Sequence, residues 1–202
     1  MCSSDLGGAD PELKIGDVVV PQAYSEYLEA VFARETKKGE YTLPSYAERR
    51  TPNFEMIFPQ PVEIANGSGE PEKAKWFQVD SGLFSIASKI ESQQLAKCTA
   101  ANACLDHQPR LVIGGNGVSG QAFVDNKAFR EYAHETFKAS LIDMESAAVA
   151  HVAHANKVPF IAFRSLSDLA GGGPGENEIG TFFQLASDNS STIVKAFLKA
   201  LP

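Results

Sequence analysis

The fold of this chain is decided by Ser140-Leu141-Ile142-Asp143-Met144-Glu145-Ser146, an alanine-rich run, Pro159-Phe160-Ile161-Ala162-Phe163 and Arg164-Ser165-Leu166-Ser167-Asp168. Residues 140–142 predict a short buried strand, and residues 145–156 predict a helix that is apolar on nearly every side. Residues 159–163 predict a second buried strand. Strand, helix and strand in this order, with a short connection, predict parallel pairing through a right-handed crossover.

Two carboxylates follow these predicted strands. Glu145 is expected in the first helical turn, where the positive end of the helix dipole favours an ionised carboxylate that accepts hydrogen bonds. Asp168 follows the second strand, and open α/β sheets bind ligands past the carboxyl ends of their strands. At neutral pH only about one Asp in a thousand is protonated. Asp168 can therefore be a general acid only if burial raises its pKa or the substrate atom gains basicity during the reaction.

Other polar residues of this region have structural explanations. Arg164 is predicted to pair with Glu145 or Asp143, and Asp143 suits a cap for the following helix. His151 and His154 lie three residues apart, a spacing that could face one ligand. No third ligand is in view, so the sequence favours two satisfied histidines over a metal site. The glycine-rich residues after Asp168 are predicted to form a loop that can move over a ligand.

Composition limits the class of protein. The chain has 202 residues, 44% of them hydrophobic, which fits one globular domain, and no apolar run is long enough to span a membrane. Its 18 basic and 25 acidic residues give a net charge of −7, which argues against nucleic-acid binding. No metal site is expected, because the close cysteines Cys98 and Cys104 have only His107 nearby.

Periodicity places the remaining elements. Strands are predicted at residues 18–21 and 111–113, and helices at residues 83–96, 127–138 and 182–198. Residues 34–75 are polar and rich in Gly, Pro and Ser. Because compact domains rarely contain such long connections without a purpose, this segment is interpreted as a lid, an insertion loop or a subunit contact.

Four stretches together carry a family resemblance; they are residues 7–20, 118–126, 143–148 and 165–173. In their order and spacing they resemble the nucleoside phosphorylase and methylthioadenosine/S-adenosylhomocysteine nucleosidase superfamily, specifically its plant bark-storage-protein-like branch. The similarity extends from Gly7 to Pro202. It implies a three-layer α/β fold in which helices flank a central mixed β-sheet.

The resemblance also implies roles for five residues. Glu145 would hold the ribose hydroxyls, Met144 would pack on the sugar, and Asp168 would protonate or hydrogen-bond N7 of the leaving purine. Phe123 would stack on the base while the backbone of Val124 contacts its edge. The implied activity is cleavage of the N-glycosidic bond of a purine nucleoside, without a cofactor or metal, by water or with phosphate as co-substrate. The alternative is a nitrogen-storage protein of the same fold that has lost catalysis.

The resemblance bears on chain boundaries and cellular context as well. Residues 1–6 depart from the family pattern and are interpreted as artefactual, and residues 7–202 as the carboxyl-terminal part of a longer domain, inactive by itself and incomplete at its amino end. A Cys98–Cys104 bridge is implied, and Asn66 begins a glycosylation sequon in a predicted loop. Both features favour the secretory route, vacuolar or extracellular. A homo-oligomer is expected because family members are oligomers.

Overall fold

In the computed structural model of the chain, residues 2–3, 6–65, 70–91 and 93–202 are described, with residues 2–3 described by their backbone alone. The strands are β1 (Cys2–Ser3), β2 (Gly7–Gly8), β3 (Val18–Val20), β4 (Ala23–Glu26), β5 (Ala30–Phe32), β6 (Arg34–Lys37), β7 (Glu40–Thr42), β8 (Ile57–Pro59), β9 (Val62–Ile64), β10 (Glu72–Ala74), β11 (Phe77–Gln78), β12 (Leu111–Ile113), β13 (Asn116–Ser119), β14 (Ala139–Asp143) and β15 (Phe163–Ser165). The helices are α1 (Ser81–Ala87), α2 (Lys127–Phe137), α3 (Ser146–Ala155) and α4 (Ile179–Ala200).

A bent, mixed β-sheet forms the centre of the molecule. One half has the strand order β1-β15-β3-β12 and the other β11-β4-β13-β14-β2. The halves are continuous, because β3 leads into β4 and β12 leads into β13, and these strands lie side by side in parallel in both halves. At the bend, the Gly114 N–H donates to Val20 and the Gln22 N–H to Gly115. The expected central mixed sheet with flanking helices is confirmed.

The predicted pairing around α3 was wrong in one respect. Strand β14 forms as expected, but the strand after α3 begins at Phe163 and pairs with β1 and β3 in the other half of the sheet. Between β14 and Asp168 lies β2, which pairs with β14, while the Gly8 N–H donates to the Asp168 carbonyl at 3.0 Å. Two glycines carry no hydrophobic alternation, so periodicity could not reveal this strand.

The predicted helices need smaller corrections. Helix α2 forms at its predicted position, and α4 extends beyond residues 182–198 at both ends. The helix predicted at residues 83–96 was wrong, since α1 ends at Ala87. Further along, Leu95 is buried in the core, but the Leu95 carbonyl accepts a hydrogen bond from Gln108 and the Ala96 N–H donates to Asn189. Side-chain partners thus replace the helical hydrogen bonds that the apolar spacing had predicted.

Helix α3 was predicted to be buried on nearly every side, and this was also wrong. It packs against β4, β11 and β13 through Ala147 and Ala150, which are buried. Its outer face leaves Val149 and Val152 exposed, at 39% and 62%. Its position therefore depends on the inner face, and its composition could not show which side the sheet would cover.

Small strand pairs lie outside the central sheet. The described residues between 30 and 74 form antiparallel pairs of β5 with β8, β6 with β7 and β9 with β10. A lid or insertion role for residues 34–75 stays a prediction.

Cys98 and Cys104 form a disulfide with their Cα atoms 4.0 Å apart, while Asn66 lies outside the described residues. Among the helices of the described ranges, none combines the length and hydropathy needed to cross a bilayer.

Asn189 joins two loops to α4 from a buried position, with 1% of its surface exposed. Its amide donates to the carbonyls of Gly16 and Ala96, and its oxygen accepts the Ala96 N–H. Asn189→Ala is expected to lower the free energy of unfolding by about 2–3 kcal/mol, because buried backbone groups lose their partners. Urea unfolding measures this, and Ser191→Ala is the control. A change below about 0.5 kcal/mol, typical of a neutral surface substitution, would contradict it.

Candidate functional site

A small pocket lies where β13 and β14 end beside β2. It is shallow, with a cavity volume of about 10 Å³ inside an open depression of about 250 Å³, and is lined by Leu6, Gly7, Ala122, Phe123, Val124, Ile142, Asp143 and Met144. The structure thus brings together three of the residues predicted to contact the base or the sugar. Larger grooves open elsewhere on the described surface, such as one between Glu29 and His151, but none of the predicted substrate-binding residues lines that groove.

Asp143 organises the beginning of α3. Its Oδ1 accepts the N–H of Glu145 at 3.2 Å and of Ser146 at 3.0 Å, and the Ser119 hydroxyl also donates to it. Ser119 in turn accepts the Ala147 N–H. The predicted capping role of Asp143 is confirmed. Glu145 lies at the N-cap position and not within the first turn, and its side chain makes no capping hydrogen bond, which leaves it directed to other partners.

Arg164 connects the two carboxylates at this strand edge. The side chain is fully buried, with its Nε 3.0 Å from Oδ2 of Asp143 in an ion pair that lacks hydrogen-bond alignment. Its Nη2 donates to Oε2 of Glu145 at 3.1 Å. Both partners predicted for Arg164 are therefore present. The Glu145 side chain remains 39% exposed, so one face of its carboxylate is anchored to a cation while the other is accessible.

Buried polar atoms also lie beside this ion pair. Tyr24 Oη and Ser146 Oγ lie close to each other without an aligned hydrogen bond, and Arg164 Nη1 has no hydrogen-bond partner among the described residues. Burial and the negative charge of Asp143 raise the pKa of Tyr24, so this phenol stays protonated and can donate. Sequence reasoning missed Tyr24 and Ser119, because nothing in the alternation of a strand distinguishes a serine or tyrosine that faces a site from one that faces the core.

Asp168 is buried, with 1% of its surface exposed. Its Oδ1 accepts the Ala170 N–H at 2.8 Å, and the Ser167 hydroxyl donates to Oδ2 at 3.1 Å. Burial raises the pKa of the carboxyl, and these hydrogen bonds lower it in part. The net direction is upward. Burial thus shifts the pKa of Asp168 in the direction that a general acid at neutral pH requires.

The glycine-rich loop joins Asp168 to the segment that follows Phe123. The Ala170 carbonyl accepts the Asn126 N–H at 3.1 Å, and Asn177 donates to Asp125 at 3.1 Å. At Gly171, where φ is +82°, a Cβ atom would lie 2.5 Å from the Asn126 nitrogen. The loop therefore rests on the backbone just beyond Phe123 and Val124, so Asp168 and the predicted base-binding segment belong to one continuous piece of structure.

This arrangement suits the departure of a weakly basic leaving group from a sugar. A carboxyl with a raised pKa can supply a proton as the leaving group becomes basic. A carboxylate fixed by a guanidinium can accept hydrogen bonds from sugar hydroxyls and stabilise positive charge that develops on the ring. For a metal the donor set is poor, since the described residues contain no group of three or more His, Cys, Asp or Glu side chains that could hold an ion.

The two histidines of α3 have partners of their own. His151 lies 2.9 Å from Glu26 and stacks on Phe77, and His154 lies 3.0 Å from Glu72 and contacts the same ring. They are held by different carboxylates. This agrees with the interpretation of His151 and His154 as satisfied side chains.

Comparison with known proteins supplies the family. The model of the phosphorylase superfamily matches residues 6–199. Bark storage protein A of Populus deltoides is 25% identical over 98% of this chain and 64% of its own length. The 5′-methylthioadenosine/S-adenosylhomocysteine nucleosidase of Tolumonas auensis is 28% identical over 98% of this chain and 68% of its own length. The chain thus spans about two thirds of the length of the curated relatives that it matches.

Solved structures agree on the fold. Futalosine hydrolase of Helicobacter pylori superposes with a TM-score of 0.65 at 21% identity, over 98% of this chain and 66% of that one. A 5′-methylthioadenosine/S-adenosylhomocysteine nucleosidase of Colwellia psychrerythraea in complex with adenine gives a TM-score of 0.62 at 24% identity, over 98% and 65%. With the family match over nearly its whole length, the chain belongs to the phosphorylase superfamily.

Proposed function

We propose that this protein cleaves the N-glycosidic bond of purine nucleosides. The observation that carries the proposal is the buried Asp168 carboxyl with its raised pKa, joined through the glycine-rich loop to the segment behind Phe123 and Val124. Membership of the phosphorylase superfamily supports it. The relatives named as nucleosidases and the neighbour in complex with adenine favour a purine nucleoside as the small-molecule substrate.

Each residue has a place in the proposed reaction. Phe123 stacks on the base, the Val124 backbone contacts the base edge, and Met144 packs on the sugar. Glu145, held by Arg164, accepts hydrogen bonds from the ribose hydroxyls. As the C1′–N9 bond lengthens, its electrons pass to the purine, N7 gains basicity, and Asp168 supplies the proton.

The positive charge left on the sugar is stabilised near Glu145 until a nucleophile adds at C1′. Water adds with loss of one proton to solvent, giving free base and free ribose, whereas phosphate gives free base and ribose 1-phosphate; in both routes Asp168 regains its proton from solvent. The protein needs no resident cofactor for either route, and phosphate is a co-substrate in the second.

A second candidate function is nitrogen storage by a protein that keeps the fold after its catalysis has lapsed. The observation that favours it is the 25% identity with bark storage proteins of Populus deltoides over 98% of this chain. A storage role places no chemical demand on Asp168, Glu145 or Phe123. Activity therefore decides between the two.

The deciding experiment uses the protein expressed from its full-length transcript. Release of free base is measured from adenosine, inosine, 5′-methylthioadenosine and a cytokinin riboside, each with and without phosphate. Phosphate-dependent release establishes a phosphorylase, and phosphate-independent release a nucleosidase. A folded sample that releases no base from any of the four overturns the enzymatic proposal and favours storage.

The raised pKa of Asp168 predicts the form of the pH profile. Only the protonated carboxyl can donate, so kcat/KM is expected to decline as pH rises through the folded-state pKa, which lies above the ordinary 3.8. Because burial moves this pKa upward, the active range extends to higher pH than an exposed aspartate would allow. Initial rates across a buffer series measure the decline. If Asp168→Asn shows the same decline of kcat/KM at high pH (the alkaline limb of the profile), the decline belongs to another group.

We further propose a secretory location and a homo-oligomeric state. The Cys98–Cys104 disulfide supports an oxidising compartment, where such bridges persist. Non-reducing peptide mapping of protein isolated from its tissue tests the bridge, and light scattering tests the subunit number. Free thiols in freshly isolated protein would remove the support for secretion.

A further inference from the structure

Arg130 lies on α2, outside the pocket, and binds the backbone on the far side of β2. Its Nε donates to the Gly8 carbonyl at 2.7 Å, and its Nη2 donates to the Asp10 carbonyl at 3.3 Å. The side chain is half-buried. A fork of several donors on one planar group suits two carbonyls in this way, which a lysine ammonium cannot reproduce in full.

Gly8 links Arg130 to Asp168 through its two backbone polar groups. While the Gly8 carbonyl accepts from Arg130, the Gly8 N–H donates to the Asp168 carbonyl at 3.0 Å. The guanidinium therefore helps to fix the Asp168 backbone through Gly8, although no hydrogen bond or ion pair joins Arg130 and Asp168 in the described structure.

Arg130 also supports the glycine-rich loop. A Cβ atom on Gly172 would lie 2.2 Å from its Nη1, so the guanidinium lies directly against the loop, and a side chain at this position would have to displace it. One turn earlier, at the N-cap of α2, the Asn126 N–H donates to the Ala170 carbonyl. Helix α2 thus holds the two ends of the segment that begins at Asp168, through Asn126 near the carboxyl and through Arg130 further along the loop.

We propose that Arg130 is a positioning residue for Asp168, holding β2 and the glycine-rich loop so that the carboxyl stays at the edge of the leaving base. This role rests on the proposed glycosidic cleavage. The sugar side of the site is anchored separately, since Glu145 is fixed by Arg164. Loss of Arg130 should therefore impair protonation of the leaving group more than stabilisation of the sugar.

Substrates with two different leaving groups distinguish a defect in protonation of the leaving group from a defect in stabilisation of the sugar. A purine needs a proton at N7 as it departs, whereas 4-nitrophenolate leaves a riboside as a stable anion without one. Arg130→Met is expected to lower kcat for the purine nucleoside about 10- to 100-fold, since displacement of a catalytic group by about 1 Å can cost that much. For the nitrophenyl riboside, kcat of the same variant should fall by less than about threefold. Arg130→Lys should recover part of the loss, and Asp168→Asn should show the same selectivity as Arg130→Met.

Lys127→Met is the matched control, because Lys127 is on the same helix with 72% of its side chain exposed and, within the described part of the chain, forms an ion pair with Glu131 alone, at 3.9 Å. This variant should cleave both substrates with the kcat of the wild type. As a second readout, Arg130→Met should displace the alkaline limb of the kcat/KM profile for the purine nucleoside, and Lys127→Met should not. Thermal unfolding checks that both variants fold.

The outcomes distinguish this role from the proposed function. Equal losses on both substrates with an unmoved pH limb, or an Arg130→Met variant as active as the wild type, would overturn the positioning role alone. Wild-type protein that cleaves neither substrate would overturn the glycosidic activity, and the role of Arg130 with it. Selective loss on the purine substrate, together with a displaced limb, is the expected result.

Discussion

Asp168→Asn is expected to remove most turnover of purine nucleosides while the fold stays intact. General acid catalysis contributes about 10²- to 10⁴-fold, and kcat should fall within that range because a carboxamide N–H is too weakly acidic to transfer its proton. The replacement is nearly isosteric, and its oxygen can still accept the Ala170 N–H. Steady-state rates on adenosine or inosine measure the loss. Turnover at the wild-type level would remove Asp168 from the mechanism.

The same variant should also be at least as stable as the wild type at neutral pH. The pKa of Asp168 is raised in the folded protein, so its contribution to stability is present below the unfolded pKa and is lost as pH rises through the folded pKa. An amide is neutral at every pH and escapes this loss. The free energy of unfolding measured in urea should therefore be higher for Asp168→Asn than for the wild type at neutral pH. The difference between the two proteins should decrease at acidic pH. Asp188→Asn, an exposed change on α4, should show no such trend.

Arg164→Met is expected to have the largest effect on stability, a loss of about 3–5 kcal/mol. Removing one partner of a buried ion pair leaves the other charge uncompensated, and Asp143 is as fully buried as Arg164. The change also frees the Glu145 carboxylate, so KM for nucleosides should rise in any variant that remains folded. Urea unfolding and substrate titration measure the two effects.

Arg110→Met is the matched control for that experiment. Arg110 also pairs with a buried aspartate, Asp17, but at 3.8 Å and from a side chain that is 61% exposed. Exposed pairs contribute about 0–1 kcal/mol. In the double variant Arg164→Met with Asp143→Asn, part of the lost stability should return, because the orphaned charge is then absent. A loss below about 1 kcal/mol for Arg164→Met alone would refute the importance assigned to this ion pair.

The parts of the fold that the sequence predicted are those governed by local rules. Strand β14 and helix α2 follow from an apolar run and from helical spacing bounded by Asn126 and Lys138. The helix expected to continue to Ala96 ended at Ala87, because Gln108 and Asn189, both distant in sequence, supply partners to the backbone. Local periodicity carries no information about such partners.

The residues of the candidate site also fall into those that the sequence indicated and those that it could not reveal. The roles of Phe123, Val124 and Met144 came from family resemblance, and the structure places the three around one pocket. The partners of Arg164 followed from charge complementarity along a short stretch of chain. Arg130 was missed, because its contacts with Gly8 and Asp10 cross about 120 residues of sequence and involve only backbone carbonyls.

The close packing around strand β2 limits which substitutions this sequence can accept during evolution. An alanine at Gly7 would place its methyl carbon 2.6 Å from Cβ of Ala170, and Gly8 is confined by Leu166. Purifying selection should keep Gly7 in every descendant that folds, whether it is kept for turnover or only for its nitrogen. Asp168 is different, because its replacement by asparagine should cost the fold nothing. Across a lineage, the aspartate is the position whose retention reports selection for chemistry, and the glycine reports selection for folding.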